Sequence, residues 1–224
     1  MMQNICVLGG TGFVGRGVIP ALLSAGFEIN ALVRKNSEGK LPQSSACHAI
    51  IGEATNAEDI IRALEGCDAL VNLVGTRRAE MKKSNLTYAD VDLAATSAGI
   101  AAMRATKVSR LILLSAGHIG ESAYVQTKKL AEQVVQNANV DWTILRPSYI
   151  LGPGQMWPII MNPVLSISTL IPGNFGRVAK LAQNVTRNNL ADAIVWALGH
   201  PESVGIVFDV PAIRALAKTL SRPA

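Results

Sequence analysis

The chain has 224 residues, 49% of them apolar, and a formal charge of +5 from 21 Lys and Arg against 16 Asp and Glu. That length suits one domain, or one domain with a small appended lobe, and so much apolar material excludes a disordered chain. The basic residues are scattered, with small groups at Arg34/Lys35/Lys40 and Arg77/Arg78/Lys82/Lys83, which disfavours a nucleic-acid partner and suits a phosphate-bearing small molecule.

In chain order, "NICVLG" (4–9) reads as a strand, and "FVGRGVIPALLSAG" (13–26) has helical spacing, with Pro20 removing one backbone bond inside it. Further strands are predicted at 28–34, 47–51, 68–74, 110–115 and 141–145, with helices at 56–65, 85–106 and 122–139 between them. Asn56 is placed to cap a helix and Gly66 to end one. Runs as apolar as "RLILLS" fit strands covered on both faces, so the alternation predicts a doubly wound α/β parallel sheet, a Rossmann architecture. The pattern weakens after Arg146. It returns as a helix at 190–200 and a strand at 205–210, giving an expected core over 1–146 and a small C-terminal lobe over 147–224 at the sheet edge.

Cys6, Cys47 and Cys67 are odd in number and lack metal-ligand spacing, and the N-terminus opens on a strand rather than a secretory signal, so a reducing cytoplasm is expected. His48, His118 and His200 also lack ligand spacing, which disfavours a metal site. Met156–Pro172 is apolar but is broken by Pro158 and Pro163 and is short for a membrane span, so it reads as a greasy loop or lid.

The stretch "VLGGTGFVGR" (7–16) puts Gly9, Gly12 and Gly15 at the first strand-to-helix turn, where backbone N–H groups and the positive helix end can meet a pyrophosphate. Its spacing is G-x-x-G-x-x-G, not the G-x-G-x-x-G of many dehydrogenases. At the end of the second strand, where a carboxylate would hold the ribose of NAD, stands Arg34, which favours the 2′-phosphate of NADP(H). Tyr124 and Lys128 are four apart on a predicted helix and so share a face. A cation beside a phenol favours phenolate, so the Tyr124 pKa is expected to fall toward the range of an acid/base catalyst.

Together "GGTGFVG", "VNLVG" (71–75), "LLSAG" (113–117), "YVQTKKLAE" (124–132) and "LRPSYILGPG" (145–154) resemble the short-chain dehydrogenase/reductase superfamily in its extended or atypical branch. Within that branch the chain is most similar to the group that includes the NADPH-binding accessory subunit of respiratory complex I. "NNLADAIVWAL" (189–199) resembles the family's late helix, with Asn189 and Leu190 where acids or Asp-Val are usual.

The resemblance implies that Gly9, Thr11, Gly12, Phe13, Val14 and Gly15 hold the dinucleotide, Arg34 its 2′-phosphate, and Glu53 the adenine side. Asn72, Leu73 and Gly75 would line the ribose side, and Pro147 and Ser148 would border the nicotinamide. Tyr124 would be the acid/base residue and Lys128 would bind the nicotinamide ribose. The family usually ends its fifth strand in a Ser-Ser or Ser-Thr pair, whereas this chain has Ser115-Ala116. Ser115 fills the catalytic hydroxyl role, or Ser122 does, or the hydroxyl is missing.

Two functions remain open on sequence. One is an NAD(P)H-dependent oxidoreductase or epimerase acting on a small, apolar carbonyl or alcohol. The other is a non-catalytic NADPH-binding accessory, assembly or redox-sensing protein, with a protein partner docking on the C-terminal lobe.

Overall fold

The computed structural model describes residues 3–76, 85–117, 122–154 and 174–220. The basic group at 77–83, His118 and the apolar segment 156–172 lie outside the described residues. Strands are β1 (Asn4–Leu8), β2 (Glu28–Val33), β3 (Cys47–Ile51), β4 (Ala69–Asn72), β5 (Arg110–Leu114), β6 (Asp141–Arg146), β7 (Tyr149–Leu151), β8 (Asn184–Thr186) and β9 (Ile206–Asp209). Helices are α1 (Gly15–Ser24), α2 (Ala57–Leu64), α3 (Ala94–Thr106), α4 (Ala123–Gln136), α5 (Asn174–Leu181), α6 (Arg187–Gly199) and α7 (Val210–Leu220).

Seven strands form one sheet in the order β3-β2-β1-β4-β5-β6-β9, every pair parallel. The predicted doubly wound Rossmann sheet is what the chain forms. Alternate residues of β1 face opposite layers, as the two-residue period of a strand requires. Ile5 and Val7 belong to a core with Val18, Ile19 and Leu22 of α1, Leu190 and Ile194 of α6, and Val210 and Ile213 of α7. Cys6 and Leu8 belong to a second core with Ile60 and Leu64 of α2 and Ile100 and Met103 of α3. All five residues of β5 are buried, which explains why its sequence shows no polar alternation.

The strand order reverses between β1 and β4, so the crevice for ligands opens at the carboxyl ends of these two strands. Several local expectations hold. Asn56 Oδ1 accepts the Glu58 N–H at 2.9 Å at the start of α2, and Gly66 follows that helix at φ +71°. Others shift. The helix expected over 85–106 is instead a π-helical turn at Ala89–Leu93 leading into α3, and a wide turn of this kind re-aims the side chains it carries.

After Arg146, β9 extends the main sheet beside β6, while β7 and β8 pair in a separate two-stranded ribbon. α6 starts three residues before the predicted position because Thr186 and Asn189 cap each other reciprocally. Among the described residues no helix is long and apolar enough to cross a membrane.

Candidate functional site

The turn from β1 into α1 is built so tightly that its glycines are needed. Gly9 sits at φ +76°, and a Cβ there would lie 3.0 Å from the Leu73 carbonyl carbon and oxygen. At Gly15 a Cβ would come within 2.3 Å of the Gly10 oxygen and 2.4 Å of the Gly9 oxygen. Gly12 differs. It is exposed, and the one non-neighbouring atom its Cβ would approach is Gly9 O at 3.1 Å. Its outer face therefore looks onto open space at the head of α1, whose N-cap, Val14, supplies no side-chain hydrogen bond. A positive helix end with no side-chain cap, beside a turn that carries no side chain at Gly9, Gly10 and Gly12, fits a dinucleotide's diphosphate.

Behind the turn, Val14 packs into the core and the Phe13 carbonyl accepts a hydrogen bond from Arg187 Nη1 at 3.3 Å. The Arg187 guanidinium also lies 5.6 Å from the centroid of the Phe13 ring. α6 thus braces the outer wall of the turn, a contact the sequence did not reveal. Thr11 lies half-buried in the turn itself.

Arg34 follows β2 directly and is exposed at the carboxyl edge of the sheet, one strand away from the glycine turn. Glu53 follows β3, also exposed, and its N–H donates to Asp59 Oδ2 at 2.8 Å. Both predicted adenosine-side residues are therefore on the ligand edge with their side chains toward solvent.

At the end of β4 the buried Asn72 is used by the protein itself. Its Oδ1 accepts the Val74 N–H at 3.0 Å and its Nδ2 donates to Thr96 Oγ1 at 3.4 Å, shaping the turn that carries Leu73 and Gly75. Three polar side chains converge on Gly75. A Cβ at Gly75 would stand 3.8 Å from Asp92 Oδ1, 3.9 Å from Lys128 Nζ and 4.0 Å from the Tyr124 hydroxyl.

The i, i+4 spacing on α4 therefore brings Tyr124 and Lys128 into one small volume at the carboxyl edge of the sheet, beside Gly75. Lys128 is buried and donates to the carbonyls of Val74 at 2.9 Å and Leu114 at 3.3 Å, linking the ends of β4 and β5. Its ammonium also lies 2.9 Å from Asp92 Oδ1. That oxygen is buried and receives no hydrogen bond of good geometry, so the contact is an ion pair rather than an aligned bond. Asp92 Oδ2 accepts the Thr76 N–H at 3.1 Å.

One expectation reverses here. The Tyr124 phenol is pushed above its ordinary pKa, not below it, first by burial and then by the Asp92 carboxylate and the neighbouring Tyr88. Tyr88 packs edge-on against it at 5.0 Å between ring centroids. The cation that was to lower the phenol is balanced by a carboxylate on the π-helical turn, and neither that turn nor its partner could be read from spacing.

Ser115 is buried at the end of β5, where its hydroxyl donates a hydrogen bond to Glu132 Oε1. Glu132 in turn pairs with Arg146, whose Nε lies 2.9 and 3.0 Å from its two carboxylate oxygens. The hydroxyl of Ser122 caps α4, accepting the Val125 N–H at 3.3 Å. Pro147 and Ser148 flank the end of β6. The Pro147 carbonyl accepts the Gly117 N–H at 2.7 Å, and Ser148 Oγ donates to Leu181 O at 2.6 Å.

A parallel sheet with this strand order, a glycine turn at its reversal point and a Tyr/Lys pair across the crevice define an NAD(P)-binding Rossmann protein. The chain belongs to the NAD(P)H-binding family, whose model matches residues 9–201. It is 27% identical over 168 residues to the 4-hydroxy-2-methyl-3-oxo-4-farnesyl-3,4-dihydroquinoline-1-oxide ketoreductase of Stigmatella aurantiaca, covering 65% of this chain and 50% of that protein. It is 23% identical over 147 residues to the photosystem II assembly factor Ycf39 of Trieres chinensis, covering 64% of this chain and 45% of that one. The solved structure of the oxidoreductase ylbE from Lactococcus lactis superposes with a TM-score of 0.69 at 21% identity, over 97% of this chain and 96% of that one. The chain spans about half the length of the curated relatives it matches.

Proposed function

We propose that this chain binds NADP(H) in the crevice above β1 and β4 and catalyses hydride transfer to a small apolar carbonyl compound. The observation that carries this reading is the meeting of Tyr124, Lys128 and Asp92 at Gly75, beside the glycine turn. Gly9, Gly12 and Gly15 with the head of α1 would hold the diphosphate, and Arg34 would pair with the 2′-phosphate. Glu53 would face the adenine, the 73–75 turn the ribose, and Pro147 and Ser148 the nicotinamide. The bound cofactor supplies the hydride.

The chain's own part is to hold the carbonyl beside Tyr124, which gives its phenolic proton to the carbonyl oxygen as that oxygen gains the electron pair of the C=O bond. Lys128 fixes the floor of this volume through Val74 and Leu114. Ser115 would contribute a hydroxyl to the substrate oxygen by exchanging its bond to Glu132. The farnesylated ketone in the name of the Stigmatella relative supports an apolar substrate.

The test is loss of NADPH absorbance on addition of a panel of apolar ketones. Tyr124→Phe should still bind NADPH and should lose turnover, and a fully active variant would refute the assignment.

A second reading has its own support. Both candidate hydroxyls are already engaged, Ser115 by Glu132 and Ser122 by the head of α4, and Ycf39 is named as an assembly factor. On that reading the cofactor is held without turnover and the C-terminal region docks a protein. NADPH binding with no turnover of any ketone in the panel would favour it.

A further inference from the structure

We propose that Asp92 is a positioning residue that keeps Tyr124 protonated, so that the phenol stands ready to give its proton to a carbonyl oxygen. This rests on the hydride-transfer reading above and names the protonation state from which it starts.

The two directions need opposite states of the same phenol. Oxidising an alcohol requires Tyr124 to arrive as phenolate and accept the hydroxyl proton. Reducing a carbonyl requires it to arrive as phenol and give its proton away. A phenolate at working pH needs an uncompensated positive charge beside it, and Lys128 is the cation placed to provide one.

The structure removes that compensation. The Lys128 ammonium donates to two carbonyl oxygens, Val74 O and Leu114 O, and a third oxygen, Asp92 Oδ1, lies 2.9 Å away. Both members of this ion pair are buried, so water does little to screen them. Asp92 is held in place by the Thr76 N–H on its Oδ2 and by the π-helical turn that points it inward.

Among the described residues, the titratable groups that face Tyr124 are Asp92 and Tyr88 from the segment ahead of α3 and Lys128 from α4 itself. The first two oppose a phenolate, as burial does, and the third is already paired. Proton and electron balance follow directly. A bound reduced nicotinamide cofactor would be the reductant and supply the hydride to the carbonyl carbon, the carbonyl oxygen would take the Tyr124 proton, and solvent would reprotonate the phenol afterwards.

The experiment is a pH titration of tyrosinate ultraviolet absorbance on the full chain, with the Tyr124 signal isolated by subtracting the Tyr124→Phe curve. In the wild type that signal should emerge above the ordinary tyrosine value of about 10, and in Asp92→Asn its midpoint should fall by about one pH unit or more. Asp92→Asn should also move the alkaline limb of the carbonyl-reduction pH profile to lower pH, because the phenol then ionises earlier.

A wild-type Tyr124 midpoint below the ordinary value overturns the proposal, and so does a midpoint unmoved in folded Asp92→Asn. A purely structural role for Asp92 would lower stability without moving the tyrosine curve. If Asp92→Asn does not fold, Asp92→Ser replaces it in the same subtraction, and an unmoved Tyr124 midpoint there overturns the proposal, because burial alone also raises the wild-type value. Calorimetric titration with NADPH separates the two layers. Failure to bind sinks the hydride-transfer reading, while binding with an ordinary or low Tyr124 midpoint sinks this inference alone.

Discussion

Ser115 and Glu132 are joined by a hydrogen bond in which the serine hydroxyl is the donor, and the same carboxylate holds Arg146. The bond ties the carboxyl end of β5 to the middle of α4, and α4 carries Tyr124 and Lys128 on the same helical ladder as Glu132. The carboxylate is buried, whereas the Arg146 side chain keeps 27% of its exposure.

Removing Glu132 should therefore cost more than removing Ser115. Glu132→Ala strands a partly buried guanidinium and an unpaired hydroxyl and is expected to lower unfolding free energy by about 3 kcal/mol. Ser115→Ala leaves the ion pair intact and should cost about 1 kcal/mol. Urea denaturation of the two variants checks the order, and equal losses would contradict the network.

Gly12 and Gly15 should separate ligand binding from folding. A methyl group at Gly15 meets two carbonyl oxygens at 2.3 and 2.4 Å, so Gly15→Ala is expected to cost about 2 kcal/mol or more and to weaken NADPH binding as the turn shifts. At Gly12 the contact is 3.1 Å to one oxygen, so Gly12→Ala should cost less than about 1 kcal/mol. It should still weaken NADPH by about tenfold or more, because the methyl occupies the open face at the head of α1. Thermal melts beside calorimetric titrations measure both effects. Unchanged NADPH affinity in Gly12→Ala would remove the turn from the nucleotide site.

Arg34 should discriminate between the two dinucleotides. A charge-assisted contact to the 2′-phosphate implies that Arg34→Ala weakens NADPH by about tenfold or more and leaves NADH nearly unchanged. Equal loss for both would mean that Arg34 does not read the 2′-phosphate.

Asp68 gives the fold an acid-sensitive latch. Its Oδ2 accepts the N–H groups of Gln3 at 2.7 Å and Asn4 at 3.0 Å, at the start of β1, and these bonds hold its carboxyl below the usual range. The folded value lies below the unfolded one. The stabilisation is therefore present above the ordinary carboxylate pKa and is lost as pH falls through the folded value. Asp68→Asn should flatten the decline in denaturation midpoint below about pH 4. An unaltered slope would show that other carboxylates dominate acid unfolding.

Much of this architecture was legible in the chain because it rests on local pattern. The buried strands are apolar runs, Asn56 and Gly66 mark helix ends by their own chemistry, and Tyr124 and Lys128 meet because four residues make about one helical turn. Glu132 lies one further turn along that ladder and was open to the same reasoning. Asp92 and Arg187 were not. Each reaches the site from an element distant in sequence, Asp92 through a π-helical turn that ordinary helical spacing misplaces, and Arg187 through the docking of α6 behind the glycine turn. The direction of the Tyr124 shift failed with them, since it depends on burial and on Asp92 rather than on Lys128 alone.

The most direct test of the central claim is calorimetric titration of the full chain with NADPH and with NADH under the same conditions. The expected result is one-to-one binding of both, with NADPH the tighter. No binding of either would mean that "VLGGTGFVGR" is only a turn in this chain, and the proposed hydride transfer would fall with it.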